Sequence, residues 1–165
     1  MRYRIDYSLS NGLGKPGLSL FFKGCDKPNK CINCHNPELQ NIDKNKIDVE
    51  KLKREIIRYI DDSINYSDKY YVSFLGGDPL TKHNREYLLK ISKFIKEKYK
   101  NIETVVYTWR SLDKINNKHI KYIDYGVLGE FKKELHQKNM LPGSKNQVIY
   151  DFNDKEELDH IKLGG

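Results

Sequence analysis

Three cysteines lie within ten residues of one another and are the only cysteines of the chain: Cys25, Cys31 and Cys34. Thiolates are the usual ligands of structural zinc and of iron–sulfur clusters. Three thiolates on one loop can hold a metal centre and leave one coordination position open. An open position lets a second molecule bind the metal and react there. The spacing therefore predicts a metal centre that does chemistry.

Zinc is the alternative metal for these cysteines. A structural zinc site needs four ligands, usually as two Cys/His pairs, and the chain has no second Cys-x2-Cys pair. His35 directly follows Cys34, and the other histidines stand alone: His83, His119, His136 and His160. Three thiolates without a fourth ligand fit a [4Fe–4S] cluster whose fourth iron is open to a chelating ligand. A Cys3His zinc site stays open as the second interpretation.

A second motif, Gly76-Gly77-Asp78-Pro79, follows the apolar run Tyr70–Leu75. That run predicts a strand covered on both faces, and a similar strand-like run at 18–24 precedes the cysteines. Ligands of open parallel sheets bind at the carboxyl ends of the strands. A Gly-Gly-Asp-Pro segment alone is an ordinary turn. At the strand end beside a cysteine triad, it is interpreted as part of the same site.

The elements that position these motifs alternate between strands and helices. We expect strands at 2–9, 18–24, 70–75, 104–108, 122–128 and 147–150, and helices at 48–64, 83–99 and, more briefly, near 111–117. The first helix has an apolar residue at every fourth position from Leu52 to Ile64, with Asp48 as its N-cap. The second directs Leu88, Ile91, Ile95 and Tyr99 inward. This alternation predicts an α/β fold with a mainly parallel sheet.

Length and composition restrict the class of protein further. At 165 residues, with neither a long apolar stretch nor a signal-peptide pattern, the chain is expected to form one domain in the cytoplasm, without membrane association. Clustered, odd-numbered cysteines suit a reducing compartment. The net charge of +7 allows nucleic-acid binding, but lysine supplies 24 of the 30 positive side chains and is scattered along the chain. We interpret that charge as a solvated surface.

Together these motifs resemble the radical S-adenosylmethionine (SAM) enzymes, and among them the activating proteins of anaerobic ribonucleoside-triphosphate reductase. The glycine-rich lead-in to Cys25, the Cys34-His35-Asn36-Pro37-Glu38 segment and the Gly-Gly-Asp-Pro motif are similar to family signatures, with Asp78 in place of the usual Glu. Further similarities lie at 107–109, 129–131 and 143–147. The chain departs from the family in a five-residue first cysteine gap instead of three, and in Trp109-Arg110 where Gly-Tyr is usual.

The resemblance implies a single radical SAM domain over 1–165, folded as an incomplete (β/α) barrel. It implies that Cys25, Cys31 and Cys34 ligate three irons of a [4Fe–4S] cluster, and that the fourth iron binds SAM. The remaining residues that it implies in cofactor binding are His35, Asn36, Gly76, Gly77, Asp78, Pro79 and Thr108. Among these, Asp78 is expected to order its loop, and His35 to stack near the adenine.

The resemblance also implies a reaction. An electron from flavodoxin or ferredoxin reduces the cluster, SAM is cleaved to methionine and a 5′-deoxyadenosyl radical, and that radical takes a hydrogen atom from a glycine of the large subunit of anaerobic (class III) ribonucleotide reductase. Three alternatives remain: an activase of another glycyl radical enzyme such as pyruvate formate-lyase, a radical SAM enzyme acting on a small molecule, and a zinc-stabilised nucleic-acid-binding module.

Overall fold

The computed structural model describes residues 2–29, 37–66 and 69–164. Its nine strands and two α-helices are, in chain order, β1 (Tyr3–Gly12), β2 (Lys15–Phe22), α1 (Val49–Ser63), β3 (Tyr70–Gly76), α2 (Arg85–Lys98), β4 (Ile102–Thr108), β5 (Tyr125–Leu128), β6 (Met140–Leu141), β7 (Val148–Asp151), β8 (Glu156–Leu158) and β9 (Ile161–Lys162). The α/β class predicted from the sequence is confirmed.

Within the described residues, one seven-stranded sheet has the order β1-β2-β3-β4-β5-β7-β8. The four central strands, β2 to β5, run parallel to one another. The outer strands β1, β7 and β8 pair antiparallel. The sheet is therefore mixed. It does not close into a barrel among these residues, because β1 and β8 each have a strand neighbour on one side only.

The glycine-rich segment 11–17 lies between the strands predicted at 2–9 and 18–24 and is therefore expected to be a loop, but in the structure it forms part of a hairpin. β1 continues to Gly12, and β2 begins at Lys15. Leu13 and Gly14 form the two-residue turn, both with positive φ, 54° and 82°. Positive φ at both turn residues matches the right-handed twist of a hairpin. Antiparallel pairing of neighbouring strands thus replaces part of the predicted loop.

Both helices pack on one face of the sheet. Asp48 caps α1 as predicted, its Oδ1 accepting from the Lys51 amide at 3.1 Å. Leu52 and Ile56 of α1, and Leu88 and Ile91 of α2, lie in one buried cluster with residues of β2, β3 and β4. Tyr99 follows the end of α2 and donates to Asp61 at 3.2 Å. Neither helix in the described part of the chain is long and apolar enough to cross a membrane.

The opposite face of the sheet carries no helix in the described residues. Its buried cluster includes Tyr71 of β3, Val105 of β4 and Val127 of β5. Leu141 of β6 completes this cluster, and Ile161 of β9 packs against it. Alternate residues of a strand point to opposite faces, so Val72 and Phe74 face the helices while Tyr71 faces the short β6–β9 ribbon. The buried strand predicted at 70–75 is thereby confirmed as covered on both faces.

The connection between β4 and β5 differs from the sequence prediction. In place of a helix near 111–117 there is one 3-10 turn, Leu112–Lys114. Asn116 Oδ1 accepts from the Lys118 amide at 2.9 Å, a local turn that competes with a helix. The strand expected at 122–128 begins only at Tyr125. Just before it, the Asp124 amide donates to Thr104 O at 3.0 Å.

Candidate metal centre

The carboxyl ends of the four parallel strands lie at one edge of the sheet, and each leads into a segment singled out from the sequence. β2 leads to Cys25, β3 to Gly77, β4 to Trp109 and β5 to Gly129. The expected juxtaposition of the cysteine loop and the Gly-Gly-Asp-Pro turn is found: the Asp78 amide donates to Gly24 O at 2.6 Å. Two loops distant in the sequence thus share a backbone hydrogen bond.

Of the three cysteines, the structure describes Cys25. Its side chain is half-buried and lines a cavity at this sheet edge. Its amide donates to Gln40 O at 3.0 Å, and the Gly24 amide donates to Leu39 O at 2.7 Å. The beginning of the cysteine loop is therefore held by the residues that follow the loop. Cys31, Cys34, His35 and Asn36 lie outside the described residues.

The two glycines of the turn are required by the protein's own backbone. Gly76 has a φ of +114°, and a Cβ there would lie 2.4 Å from Phe22 O. A Cβ on Gly77 would lie 2.2 Å from Gly24 O and 2.5 Å from Leu39 O. These distances are far shorter than van der Waals contact. The glycines let β3 and the cysteine loop approach each other closely, and both line the cavity.

Asp78 is buried and satisfied at both carboxylate oxygens. Oδ1 accepts from the Leu80 amide at 2.8 Å and lies 3.2 Å from Arg110 Nη1. Oδ2 accepts from Thr108 Oγ1 at 2.7 Å and from the Trp109 amide at 3.0 Å. Burial raises the pKa of Asp78 to about 6, and the charge of Arg110 opposes that rise. Asp78 thus joins the turn after β3 to the end of β4.

Pro79 and Thr108 are the two other residues of this region predicted to bind the cofactor, and both are buried. Pro79 is buried in the turn beside Asp78. Thr108 is buried at the end of β4, where its hydroxyl donates to Asp78 and where the residue also lines the cavity. The structure therefore brings Cys25, Gly76, Gly77 and Thr108 to one cavity, with Asp78 supporting its wall.

Trp109, Arg110 and Asp26 form a link to which the sequence reasoning assigned no role. Trp109 Nε1 donates to Asp26 Oδ1 at 3.0 Å, and Arg110 Nη2 pairs with Asp26 Oδ2. Partial burial alone would raise the pKa of Asp26, but the hydrogen bonds from Trp109 and Arg110 and the Arg110 charge bring that pKa below its ordinary value. The sequence does contain a signal for this link. Asp26 and Arg110 carry opposite charges, and both follow predicted strands whose carboxyl ends are expected at the same edge of the sheet.

A second unforeseen support lies beneath the cysteine loop. The Arg2 guanidinium donates to three carbonyls: Asn45 O at 2.9 Å, Lys23 O at 3.0 Å and His83 O at 2.8 Å. Asn84, fully buried, donates through Nδ2 to Lys23 O at 3.1 Å and Asp78 O at 2.9 Å. Arg2 and Asn84 thus fix the segment just before the cysteine loop, and Asn84 also joins it to the turn after β3.

The remaining motif segments, 129–131 and 143–147, bind each other. Gln147 Oε1 accepts from the Ser144 hydroxyl at 2.9 Å, and Gln147 Nε2 donates to Gly129 O at 3.0 Å. Asn146 Nδ2 donates to Glu130 O at 2.7 Å. Glu130 in turn pairs with the buried Lys27 of the cysteine loop at 2.9 Å. The polar side chains of 144–147 thus organise this wall of the cavity.

The cavity itself has a volume of about 390 Å³. It lies on the helix-free face of the sheet, at the carboxyl ends of the strands. Its wall combines backbone at Gly76, Gly77 and Gly129 with the apolar side chains of Val127 and Phe131. Pockets of this size that are mainly apolar, with a few polar groups, are typical sites for small ligands and cofactors. A cofactor in this cavity would lie beside Cys25.

Comparison with known proteins identifies relatives over most of the chain. It is 26% identical to the anaerobic ribonucleoside-triphosphate reductase-activating protein of Enterobacteria phage T4, over 82% of this chain and 83% of that protein. It is 27% identical to the protein of that name in Escherichia coli K12, over 90% and 94% of the two chains. The resemblance read from the motifs is confirmed. Residues 10–150 match the family model described as a 4Fe–4S single cluster domain, and the chain therefore belongs to that family.

Proposed function

We propose that this protein is a radical SAM activase that generates a glycyl radical on anaerobic (class III) ribonucleotide reductase. The observation that carries the proposal is the shared cavity of Cys25, Gly76, Gly77 and Thr108 at the carboxyl ends of the parallel strands. Membership of a 4Fe–4S family supports the cluster. The names of the relatives support the reductase as the partner.

The residues present fit such a centre. Three thiolates, Cys25, Cys31 and Cys34, would hold three irons and leave the fourth open. The cavity of about 390 Å³ beside Cys25 falls within the size range of small-ligand sites. When bound and reduced, the cluster supplies one electron that cleaves SAM into methionine and a 5′-deoxyadenosyl radical. The protein orients these groups and limits the access of water.

The chain's own residues would form the SAM site around this cavity. Gly76 and Gly77 line the cavity, and their missing side chains let the turn pack against the backbone of Phe22 and Gly24. Asp78 holds the turn through four contacts and leaves Pro79 in a fixed, buried position. Thr108 forms part of the wall. His35 and Asn36, outside the described residues, complete the proposed set near the adenine.

The fold supports a single radical SAM domain over residues 1–165, built as an incomplete (β/α) barrel. β2, β3, β4 and β5 are neighbours in chain order, and both helices pack on the same face. In (β/α) barrels, parallel strands that are consecutive in the chain lie side by side, and the connecting helices cover the outside of the sheet. The cavity then occupies the inner face. An open side would admit a glycine loop of a macromolecular partner.

Flavodoxin or ferredoxin is the proposed electron donor, and the cytoplasm the proposed location. The glycine that loses its hydrogen atom is assigned to the large subunit of the reductase. An activase for pyruvate formate-lyase is the second candidate among activases, and the names of the relatives favour the reductase. The match to a 4Fe–4S domain favours iron over the zinc-stabilised module.

The decisive experiment is anaerobic reconstitution with iron and sulfide, followed by reduction and EPR spectroscopy with and without SAM. A reduced [4Fe–4S] signal that changes when SAM is added is expected. Incubation with the purified reductase should then give a glycyl radical signal on the reductase, while pyruvate formate-lyase serves as the comparison partner. A cluster whose spectrum ignores SAM, or a protein that takes up zinc alone, would contradict the proposal.

A further inference from the structure

Two consecutive residues after β4 connect the cysteine loop to the Gly-Gly-Asp-Pro turn. Trp109 donates from its ring to Asp26 and from its amide to Asp78, both at 3.0 Å. Arg110 pairs through Nη2 with Asp26 and through Nη1, at 3.2 Å, with Asp78. Each residue therefore contacts both carboxylates. The two carboxylates belong to loops that follow different strands, β2 and β3.

The burial of these groups changes steadily along the connection. The Asp78 side chain is 1% exposed, that of Arg110 14% and that of Asp26 37%. An ion pair shielded from water is screened less by solvent than a surface pair. Removing one partner of such a pair leaves an uncompensated charge, which is costly. The buried Asp78–Arg110 ion pair is therefore costly to separate. Because the same guanidinium also pairs with Asp26, it restrains the position of Asp26.

Asp26 directly follows Cys25, the first proposed cluster ligand. Resting on the function proposed above, we propose that Arg110 is a positioning residue that fixes the cysteine loop to the Gly-Gly-Asp-Pro turn, so that the cluster-binding and SAM-binding segments keep one relative position. A planar guanidinium can pair with two carboxylates in a fixed geometry, whereas the ammonium of lysine is a single point charge.

Trp109 is the only tryptophan of the chain and reports this cross-link directly. The first measurement is acrylamide quenching of its fluorescence in the full-length protein without cofactors. Asp26→Asn removes the outer ion pair and leaves Asp78 paired with Arg110, so it tests the link without exposing a buried charge. Arg110→Lys keeps the positive charge but not the double pairing. Both variants are expected to show stronger quenching than the wild type.

Lys114→Gln is the matched control. Its Nζ lies 5.5 Å from the centre of the Trp109 ring, so the variant removes a neighbouring cation without touching Asp26 or Asp78. Quenching is expected to stay close to that of the wild type. Because Asp26 and Arg110 act through each other, the Asp26→Asn/Arg110→Lys double variant is expected to be no worse than Arg110→Lys alone.

The second measurement is a SAM titration of the reconstituted, reduced proteins followed by EPR. Iron and sulfide contents of Asp26→Asn and Arg110→Lys should match the wild type, while SAM binds about 10- to 100-fold more weakly, as expected when a supporting residue is lost. Wild-type SAM affinity in both variants overturns the inference. If the wild type itself ignores SAM, the proposed function fails, and unchanged quenching in the two variants would separately overturn the cross-link.

Discussion

At the scale of single residues, Asp78 is the group on which most of the described site depends. Its two oxygens hold the turn after β3, the end of β4 and Arg110 together. The sequence places this carboxylate in the motif and predicts that it orders the loop. Its partners Thr108, Trp109 and Arg110 lie at the end of β4 or just after it, up to 32 residues away in the sequence. Only the packed sheet brings them together.

Asp78 should also make the stability of the protein depend on pH. Burial raises the pKa of Asp78 to about 6, whereas an unfolded aspartate titrates near ~3.9. Between these values the folded protein binds a proton that the unfolded chain has lost. The contribution of Asp78 to the free energy of unfolding is therefore largest at acid pH and falls as pH rises from about 4 to about 6.

Urea unfolding of the protein without cofactors tests this dependence. The free energy of unfolding of the wild type minus that of Asp78→Asn is expected to fall as pH rises through this range. Asp113→Asn is the control, because the Asp113 carboxylate accepts from Ser111 and its pKa is lowered, so no such fall should occur. A wild-type minus Asp78→Asn difference that is independent of pH would contradict the prediction.

The cysteines carry a separate prediction. Replacement of Cys31 by Ala removes one proposed iron ligand and should abolish SAM cleavage while leaving the fold largely intact. Methionine and 5′-deoxyadenosine are measured by chromatography, and folding by circular dichroism. Asn29→Ala, an exposed position of the same loop, is expected to cleave SAM normally. Full cleavage by Cys31→Ala would remove this residue from the ligand set.

At the scale of elements, the close approach of the turn after β3 to the cysteine loop depends on Gly77. In Gly77→Ala the new Cβ would lie 2.2 Å from Gly24 O, so the two loops must move apart. Forced overpacking of this kind typically costs about 1–3 kcal/mol. Reduced stability in urea and reduced iron uptake on reconstitution are the expected results.

Gly143→Ala is the control for that substitution. A Cβ at Gly143 would lie 3.4 Å from the Phe131 ring, close to ordinary contact, and no backbone atom is among its nearest neighbours within that distance. The variant should keep nearly wild-type stability. Equal stability and equal iron content of Gly77→Ala and the wild type would show that the two loops do not need this contact.

Elements with a strong local pattern were predictable from the sequence. The fourfold spacing in α1, its Asp48 cap and the apolar strand β3 are all found where expected. The antiparallel hairpin β1–β2, the antiparallel β7 and the short strands β6, β8 and β9 were not predicted in this form. Two- and three-residue strands contain too few residues to show a periodicity, and pairing direction depends on the neighbouring strand.

At the scale of the whole molecule, the sheet separates a helix-covered face from a face that carries the cavity. Because the proposed SAM site lies at one edge of the second face, binding should affect backbone exchange there and not across the sheet. We expect SAM to slow amide hydrogen exchange in the segments 77–80 and 143–147 of the reconstituted protein. The helix α1, on the opposite face, should exchange as before.

Mass spectrometry of the exchanged, digested protein measures this difference. The reconstituted protein without SAM, and the same protein with methionine alone, are the two references. Slowing in 77–80 and 143–147, without slowing in α1, is the expected result. Equal slowing of α1, or slowing confined to segments remote from the cavity, would place the SAM site elsewhere in the molecule.

The sequence by itself determined the chemistry-bearing residue types, their order along the chain and the elements with clear periodicity. Cysteine spacing, the Gly-Gly-Asp-Pro turn and the apolar stripes involve residues that are close in the sequence, so they can be recognised without knowing the fold. Only the tertiary structure decided that Arg110 joins Asp26 and Asp78, that the outer strands are antiparallel and that the cavity lies on the helix-free face. Asp26 and Arg110 are 84 residues apart, and contacts over that distance depend on how the strands pack.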